Sequence, residues 1–247
     1  MSRKFVVAES DIEGVRAAGD TAVEKRLWDR SKGSGVLVQR VLRFAPGRSH
    51  ARTDEQRDDL LYVVSGHGTL ALEGSEHALE PEDGVFVLAG ETWQIDNPGP
   101  DELLVVSVTA PAGGTNGNRR VVVRFAEQPE LRADAKRSFR YLVNESAGCL
   151  AATQFLGIVQ PCRAPDHSHS YDELGYIVDG NGWAHLGGQS IPLRPGSSFH
   201  LPPEQVHCIE NTGPGIMRIL GVFHPAGDPA TRTYDEAAST AEGGSST

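Results

Sequence analysis

The chain has 247 residues and an acidic balance, with 33 acidic against 23 basic side chains and a formal net charge of −10. With no basic stripe, this balance argues against binding of nucleic acid or of an anionic membrane surface. No apolar run reaches the roughly 18 residues of a membrane-spanning helix, and the N-terminus lacks the apolar stretch of a signal peptide. Since three cysteines are too few for a disulfide scaffold, we expect a cytoplasmic protein.

In chain order, the first expected element is a short helix. Ser10 and Glu13 have capping-box spacing, which predicts a helix that runs to about Ala18. After it, the 28 glycines and 15 prolines of the chain favour short strands and turns over long helices. Strands are predicted at residues 36–44, 60–64, 68–72, 85–88 and 103–108.

A stretch rich in Gly, Asn and Pro at residues 110–118 has the composition of a flexible linker, and a second series of strands follows it. These strands are predicted at residues 120–125, 139–143, 149–159, 174–178, 183–186, 199–201 and 217–222. From about Ala230 the chain consists mainly of Ser, Thr, Ala, Gly and acidic residues. This composition predicts a disordered tail over residues 230–247.

The two series of strands are copies of one another. An offset of 114 positions aligns them without a gap from Asp59 to Val108, and many of the matches fall on turn glycines and prolines. The matched pairs include Tyr62 and Tyr176, Gly66 and Gly180, Gly68 and Gly182, Pro81 and Pro195, and Asn97 and Asn211. This repeat predicts an all-β chain of two antiparallel barrels or jelly rolls, with domains at residues 1–112 and 113–229.

Four residues of the second copy have the pattern of a metal site. Alternate side chains of a strand share a face, so His167 and His169 point the same way. Glu173 lies an even number of positions further on, and a closed barrel would bring His207 across from a distant strand. Three imidazoles and one carboxylate suit Fe(II), Mn(II), Co, Ni, Cu or Zn rather than Ca or Mg, and leave about two positions of an octahedral ion open.

These residues stand in two spaced motifs. In the first, His167-Ser-His169 is followed after three residues by Glu173 and after six more by Gly180. In the second, Pro195-Gly196 is followed by His207 and, after three residues, by Asn211. Both resemble the motifs of the cupin superfamily, strongly over residues 145–225 and, through the repeat, over nearly the whole chain.

The resemblance implies a bicupin, with two tandem cupin barrels of the double-stranded β-helix or jelly-roll type. It also implies one divalent transition metal per chain, with Fe(II) or Mn(II) favoured, held by the C-terminal barrel only. A small-molecule substrate is the expected partner. Cupins commonly associate through their sheets, so a homo-oligomer is compatible with the sequence.

The first copy departs from the metal-binding pattern. Asp59 stands in the place of Glu173, Trp93 stands in the place of His207, and His50 is the sole histidine in the His-x-His region. We expect a barrel that binds no metal and acts as a structural partner. The alternative is a metal-free pocket that holds an anion through Arg48, Arg52 or Arg57.

Several residues near the motifs are candidates for supporting roles. His185 and His200, with Glu173, are candidate proton-transfer groups, although for either histidine alone a structural role is favoured. Asp172 is a candidate to orient a ligand histidine by accepting its second N–H. Tyr176 and Asn211 repeat residues of the metal-poor copy, which favours packing and turn roles. Cys208 should point away from the metal if its strand is regular.

Three functions are open at this stage. The favoured one is a non-heme metal oxygenase of the dioxygenase type, acting on a small enol, diol or carboxylate that chelates the ion. The alternative is a redox-neutral decarboxylase, lyase, isomerase or aminohydrolase, which would need a placed acid or base near the metal. A non-enzymatic protein that binds a small ligand is the third.

Overall fold

The computed structural model describes residues 4–231 and 233–234, and its regular structure there is almost entirely β. Helical structure in these residues consists of single 3-10 turns at Glu9–Asp11, Arg30–Lys32, Phe125–Glu127 and Glu145–Ala147. Within the same residues, no helix has the length and apolar character needed to span a membrane.

The strands of the first half are β1 (Val6–Ala8), β2 (Ala22–Trp28), β3 (Val38–Phe44), β4 (Gly47–Arg48), β5 (Arg57–Ser65), β6 (Gly68–Leu72), β7 (Ser75–Leu79), β8 (Gly84–Val87), β9 (Trp93–Asn97) and β10 (Leu103–Pro111). Those of the second half are β11 (Val122–Val123), β12 (Leu131–Arg132), β13 (Arg137–Val143), β14 (Thr153–Val159), β15 (Cys162–Arg163), β16 (His167–Ser168), β17 (Asp172–Asp179), β18 (Gly182–Leu186), β19 (Gln189–Leu193), β20 (Ser197–Leu201), β21 (His207–Asn211), β22 (Met217–His224) and β23 (Thr233–Tyr234).

Each half folds into a pair of antiparallel sheets. The N-terminal pair has the strand orders β11-β8-β5-β10-β3-β2 and β4-β9-β6-β7. The C-terminal pair has the orders β1-β20-β17-β22-β14-β13-β12 and β19-β18-β21-β16-β23, with β15 also on β21. The two-barrel architecture predicted from the repeat is therefore confirmed.

The repeat also holds at the level of register. Leu72 faces Trp93 across β6 and β9, and Leu186 faces His207 across β18 and β21. Trp93 and His207 thus occupy equivalent places in the two barrels, as the offset of 114 positions predicts.

The two halves exchange strands. β1, at the start of the chain, pairs with β20 of the C-terminal barrel, while β11 pairs with β8 of the N-terminal barrel. A continuous apolar core lies between the two larger sheets and includes Trp28, Tyr62 and Tyr176. Separate cores fill the two barrels.

The predicted helix over residues 10–18 is wrong. Beyond the 3-10 turn at Glu9–Asp11 the chain is extended, and Val15 exchanges both backbone hydrogen bonds with Glu24, each 2.8 Å long. A capping box offers only local stabilisation, whereas this pairing satisfies the backbone of the segment on β2.

The linker is more structured than its composition predicts, and one short strand lies within the residues predicted as the tail. Gly113 donates its N–H to Asp58 at 3.0 Å, and Thr115 forms a bridge with Cys149. Of the predicted tail, Thr233–Tyr234 form β23, which pairs with β16. Residue 232 and residues 235–247 lie outside the described part of the chain.

Candidate metal centre

Three histidines meet in the C-terminal barrel. His167 in β16 is the direct antiparallel partner of His207, the first residue of β21, and His169 follows β16. Each offers a ring nitrogen, and the three nitrogens lie within 4.8 Å of one another. All three side chains are buried, with at most 8% of the residue exposed. The structure thus brings together the histidines that the motif spacing singled out.

Glu173 lies beside this group. Its Oε2 is 3.8 Å from His169 Nε2, and the residue is 8% exposed. Glu173 is the second residue of β17, so strand alternation turns it towards the barrel interior while Asp172 faces the other way. The carboxylate and the three imidazoles line one cavity.

Hydrogen bonds to backbone carbonyls define the tautomers of the three histidines. The Nδ1 atom lies 2.7 Å from Pro165 O in His167, 3.1 Å from Thr231 O in His169 and 2.8 Å from Gln205 O in His207. A carbonyl oxygen can only accept, so Nδ1 carries a proton in each ring, and in the neutral imidazole Nε2 then carries the lone pair. The donor set therefore fits a transition metal, because neutral imidazoles oriented in this way are its usual protein ligands.

Tyr171 restrains the ring of His169. The two rings are stacked, with centroids 4.7 Å apart and an angle of 12°, and Tyr171 also stacks on Phe223 at 4.0 Å. The Tyr171 hydroxyl lies 3.0 Å from His169 Nδ1. The sequence argument did not select Tyr171, although its even spacing from His167, His169 and Glu173 was a usable signal.

The cavity at these ligands measures about 100 Å³, and its wall is mainly apolar. Two of its aromatic rings lie over glycines of neighbouring strands. A Cβ at Gly221 would come within 2.3 Å of the Phe155 ring, and one at Gly175 within 2.0 Å of the Phe199 ring. The other apolar lining residues are Ala133, Phe139, Val159, Leu201, Ile209, Ile219 and Pro229.

Arg137 is the cation of the cavity wall, and sequence reasoning also missed it. It begins β13 and pairs with Asp134, with Nε 2.6 Å from Oδ2. Only 10% of its side chain is exposed. Nothing in its sequence surroundings marked it, because β13 reaches the cavity only through the sheet order.

The structure does not place His185 in this cavity. On β18 the buried Ala184 and Leu186 face the barrel core, so His185 is on the outer face of the sheet. Its Nε2 donates to Glu210 at 2.8 Å and its Nδ1 lies 2.8 Å from Ser190 Oγ. Strand alternation alone does not say which face of β18 points into the barrel. Packing in the structure shows that it is the face with Ala184 and Leu186.

His200 also lies away from the cavity, and this changes the role expected of Asp172. Phe199 and Leu201 line the cavity, so His200 between them points to the reverse side of the sheet. There its Nε2 donates to Asp172 Oδ1 at 2.6 Å, with its ring 5.5 Å from that of Trp28. Asp172 therefore orients His200 and not a ligand histidine, a role that backbone carbonyls fill.

Three other neighbours take the kind of role expected of them. Tyr176 is buried between the domains and donates its hydroxyl to Glu9 at 3.0 Å; burial raises the pKa of this phenol. The Asn211 side chain donates to the carbonyls of Val159 and Gly215 and accepts the N–H of Gly213. Asn97 makes the same turn pattern in the first barrel. Cys208 points away from the histidines and donates to Ala164 O at 2.9 Å.

The equivalent place in the N-terminal barrel is built differently. Asp59 pairs with Arg40, with Oδ2 3.1 Å from Nη2, and accepts a hydrogen bond from Ser107. The Trp93 side chain is buried, with Arg52 5.5 Å from the centre of its ring. Arginines and a tryptophan thus surround the position that histidines occupy in the second barrel.

The sequence matches the cupin domain family twice, over residues 40–109 and 156–223. The matched segments fall one in each barrel and together cover more than half of the chain. The chain therefore belongs to the cupin family, and the resemblance drawn from the two motifs is confirmed.

Several solved structures share the fold. Oxalate decarboxylase of Bacillus subtilis, studied for its Mn(II) centres, superposes with a TM-score of 0.76 at 12% identity, covering 95% of this chain and 80% of that one. A protein of Pseudomonas aeruginosa named as glyoxylate-induced gives 0.74 at 18% identity over 88% and 87% of the two chains. The Escherichia coli protein YlbA gives 0.74 at 14% identity over 90% and 91%.

Among curated proteins, an uncharacterized protein of Methanocaldococcus jannaschii is 32% identical over 60 residues. That match covers 24% of this chain and spans about half, 48%, of the relative's own length.

Proposed function

We propose that this cupin is a metal-dependent oxygenase whose substrate is a small enol, diol or carboxylate that chelates the ion. His167, His169, His207 and Glu173 would hold one Fe(II) or Mn(II) ion. Such an ion, when bound, supplies about two exchangeable coordination positions and makes dioxygen chemistry accessible to an electron-rich chelate.

The observation that carries this proposal is the make-up of the cavity wall. Besides the four candidate ligands, the titratable side chains among its described lining residues are Arg137 and Tyr171. An arginine stays protonated, and the Tyr171 hydroxyl is bound to a ligand histidine. A reaction that relies on a separate general acid and base has few groups to use here, whereas oxygen chemistry needs few.

The other side chains of the wall suit a substrate with one anionic end. Arg137 would bind a carboxylate or enolate oxygen by charge-assisted hydrogen bonds. Phe139, Phe155 and Phe199 would cover the apolar remainder and exclude water. A cavity of about 100 Å³ limits the substrate to a small molecule.

Two observations favour a second candidate, a redox-neutral enzyme such as a decarboxylase or lyase. Glu173 and Tyr171 both reach the cavity and could move a proton. Oxalate decarboxylase also shares the fold. The same ligands would then serve a Lewis acid rather than an oxygen-activating ion.

An oxygen electrode separates these candidates. We expect Fe(II)-loaded protein to consume dioxygen with at least one member of a panel of small enols, diols and oxo-acids. Glu173→Ala should lower this rate about 100-fold or more, because it removes a candidate ligand. His185→Ala, which alters the outer face of the same barrel, should leave the rate unchanged.

Turnover of the true substrate at the same rate under strict anaerobiosis would contradict the oxygenase proposal and favour the redox-neutral one. Saturable binding of a panel compound with no turnover, in air or without it, would point to the non-enzymatic alternative.

A further inference from the structure

The N-terminal barrel has a cavity of its own, of about 50 Å³, at the place equivalent to the metal centre. Its lining includes Arg40, Arg52, Arg57, Asp59 and Trp93. Asp59 and Trp93 are the counterparts of Glu173 and His207. The two cavities therefore lie at equivalent places in the two barrels and have different side chains.

Strand register shows what the arginines replace. Arg40 faces Ser107 across β3 and β10, and Phe155 faces Gly221 across β14 and β22. Because Gly221 is the counterpart of Ser107 at the offset of 114 positions, Phe155 is the counterpart of Arg40. Arg57 is likewise in the place of Tyr171, by the offset of 114 positions. Two aromatic residues that line the metal cavity are therefore two arginines in the N-terminal barrel.

Most charges around the small cavity are paired within the protein. Asp59 binds Arg40 at 3.1 Å, Asp20 binds Arg52 at 2.8 Å and Glu91 binds Arg119 at 2.5 Å. Asp54 also lines the cavity, but it is exposed and accepts the backbone N–H of Gln56.

Arg57 differs from the other arginines. Its hydrogen bonds go to neutral oxygens, the Thr109 hydroxyl and carbonyl at 2.9 Å each and the Val36 carbonyl, and it forms no ion pair with a described carboxylate. Burial lowers the pKa of Arg57, and the positive charge of Arg40 lowers it further. The negative charges of Asp54 and Asp59 oppose this shift without reversing it. Within the described chain, Nη1 of Arg57 and Nη1 of Arg40 make no hydrogen bond.

We propose that the N-terminal barrel binds a small carboxylate between Arg40 and Arg57, at the position equivalent to the candidate metal centre of the C-terminal barrel. A planar carboxylate of the size of formate or acetate suits two guanidinium groups, because each of its oxygens can accept from one of them. The site is distinct from the proposed catalytic cavity and needs no metal.

Calorimetric titration of the 247-residue protein with acetate and with formate, in a carboxylate-free buffer at constant ionic strength, tests this proposal. We expect one binding event per chain. Arg57→Gln should weaken it about tenfold or more, since it removes a charged hydrogen-bond donor. Arg48→Gln is the matched control, because Arg48 is an exposed arginine of the same barrel, 3.9 Å from Asp96, and should bind as the wild type does.

His207→Ala distinguishes the two cavities. A carboxylate in the N-terminal barrel should bind this variant unchanged. Binding that is lost in His207→Ala and kept in Arg57→Gln would place the ligand at the metal centre and overturn the proposal, as would the absence of any binding or a preference for orthophosphate. If Arg57→Gln does not fold, a wild-type crystal soaked in acetate decides the matter: density touching both guanidinium groups is expected, and an empty cavity contradicts the site.

Discussion

At the scale of single residues, backbone carbonyls orient the three histidines of the candidate metal centre. Carbonyl oxygens of Pro165, Thr231 and Gln205 accept from the three Nδ1 atoms and fix the neutral tautomer with Nε2 inward. Carboxylates often fill this role, and their negative charge makes a ligand more basic. Carbonyls orient the rings without adding charge, which suits a centre that already includes Glu173.

Loss of one ligand histidine should release the metal. We expect His167→Ala, His169→Ala and His207→Ala each to lower the metal content of purified protein by about tenfold or more, because three remaining donors hold an ion less tightly than four. Elemental analysis measures this. His185→Ala changes a histidine of the same sheet that faces outward, and its metal content should equal that of the wild type. Full occupancy in all three ligand variants would contradict the ligand assignment.

At the scale of elements, β16 is only two residues long and is held from both sides. β21 pairs with it through His167 and His207, and β23 pairs with it through Tyr234 and Thr233. The segment before β23 contributes Pro229 to the cavity wall and the Thr231 carbonyl to His169. The segment that holds His167 and His169 is therefore supported by residues 229–234.

A chain that ends after Gly227 should bind metal about tenfold or more weakly, because His169 loses the acceptor that orients it and β16 loses a partner strand. Competition with a chelator of known affinity measures the change. Thr231→Ala keeps the carbonyl and should behave as the wild type does. Equal affinity of the shortened chain and the 247-residue chain would show that residues 228–247 have no part in the centre.

At the scale of the whole molecule, the two barrels form one unit. β1 and β11 cross between them, and the apolar core between the larger sheets continues from one domain to the other. At the interface, Trp28 of the first half donates to Ser198 of the second at 2.8 Å, close to the His200–Asp172 pair. The reverse side of the strands that line the metal cavity is therefore packed against the N-terminal barrel.

One tightly bound metal per chain is the expected stoichiometry of the two-barrel chain. In the N-terminal barrel, Trp93 fills the volume of a ligand histidine and Arg40 pairs with the aspartate that would replace the ligand glutamate. Elemental analysis against protein concentration, on protein purified without an affinity metal, measures the ratio. A ratio of two would mean that the first barrel holds an ion despite these side chains.

The sequence by itself determined the architecture and the candidate ligands. A repeat is visible when turn glycines and prolines recur at one offset, and those residues are needed wherever the backbone turns sharply. Spacing identified the histidines and Glu173, because residues an even number of positions apart on a strand share a face. The parity argument also placed Cys208 away from the centre.

Only the tertiary structure decided which face of each strand looks inward, and which distant segments meet. Parity says that His200 and Leu201 point in opposite directions, but packing against Trp28 gives His200 the outer side. Strand pairing between distant parts of the chain brings Arg137 and Thr231 to the metal cavity. In the same way it brings the arginines to the small N-terminal cavity. Local sequence patterns do not predict which distant strands pair. The free energy of this pairing comes from contacts that form only when both barrels close.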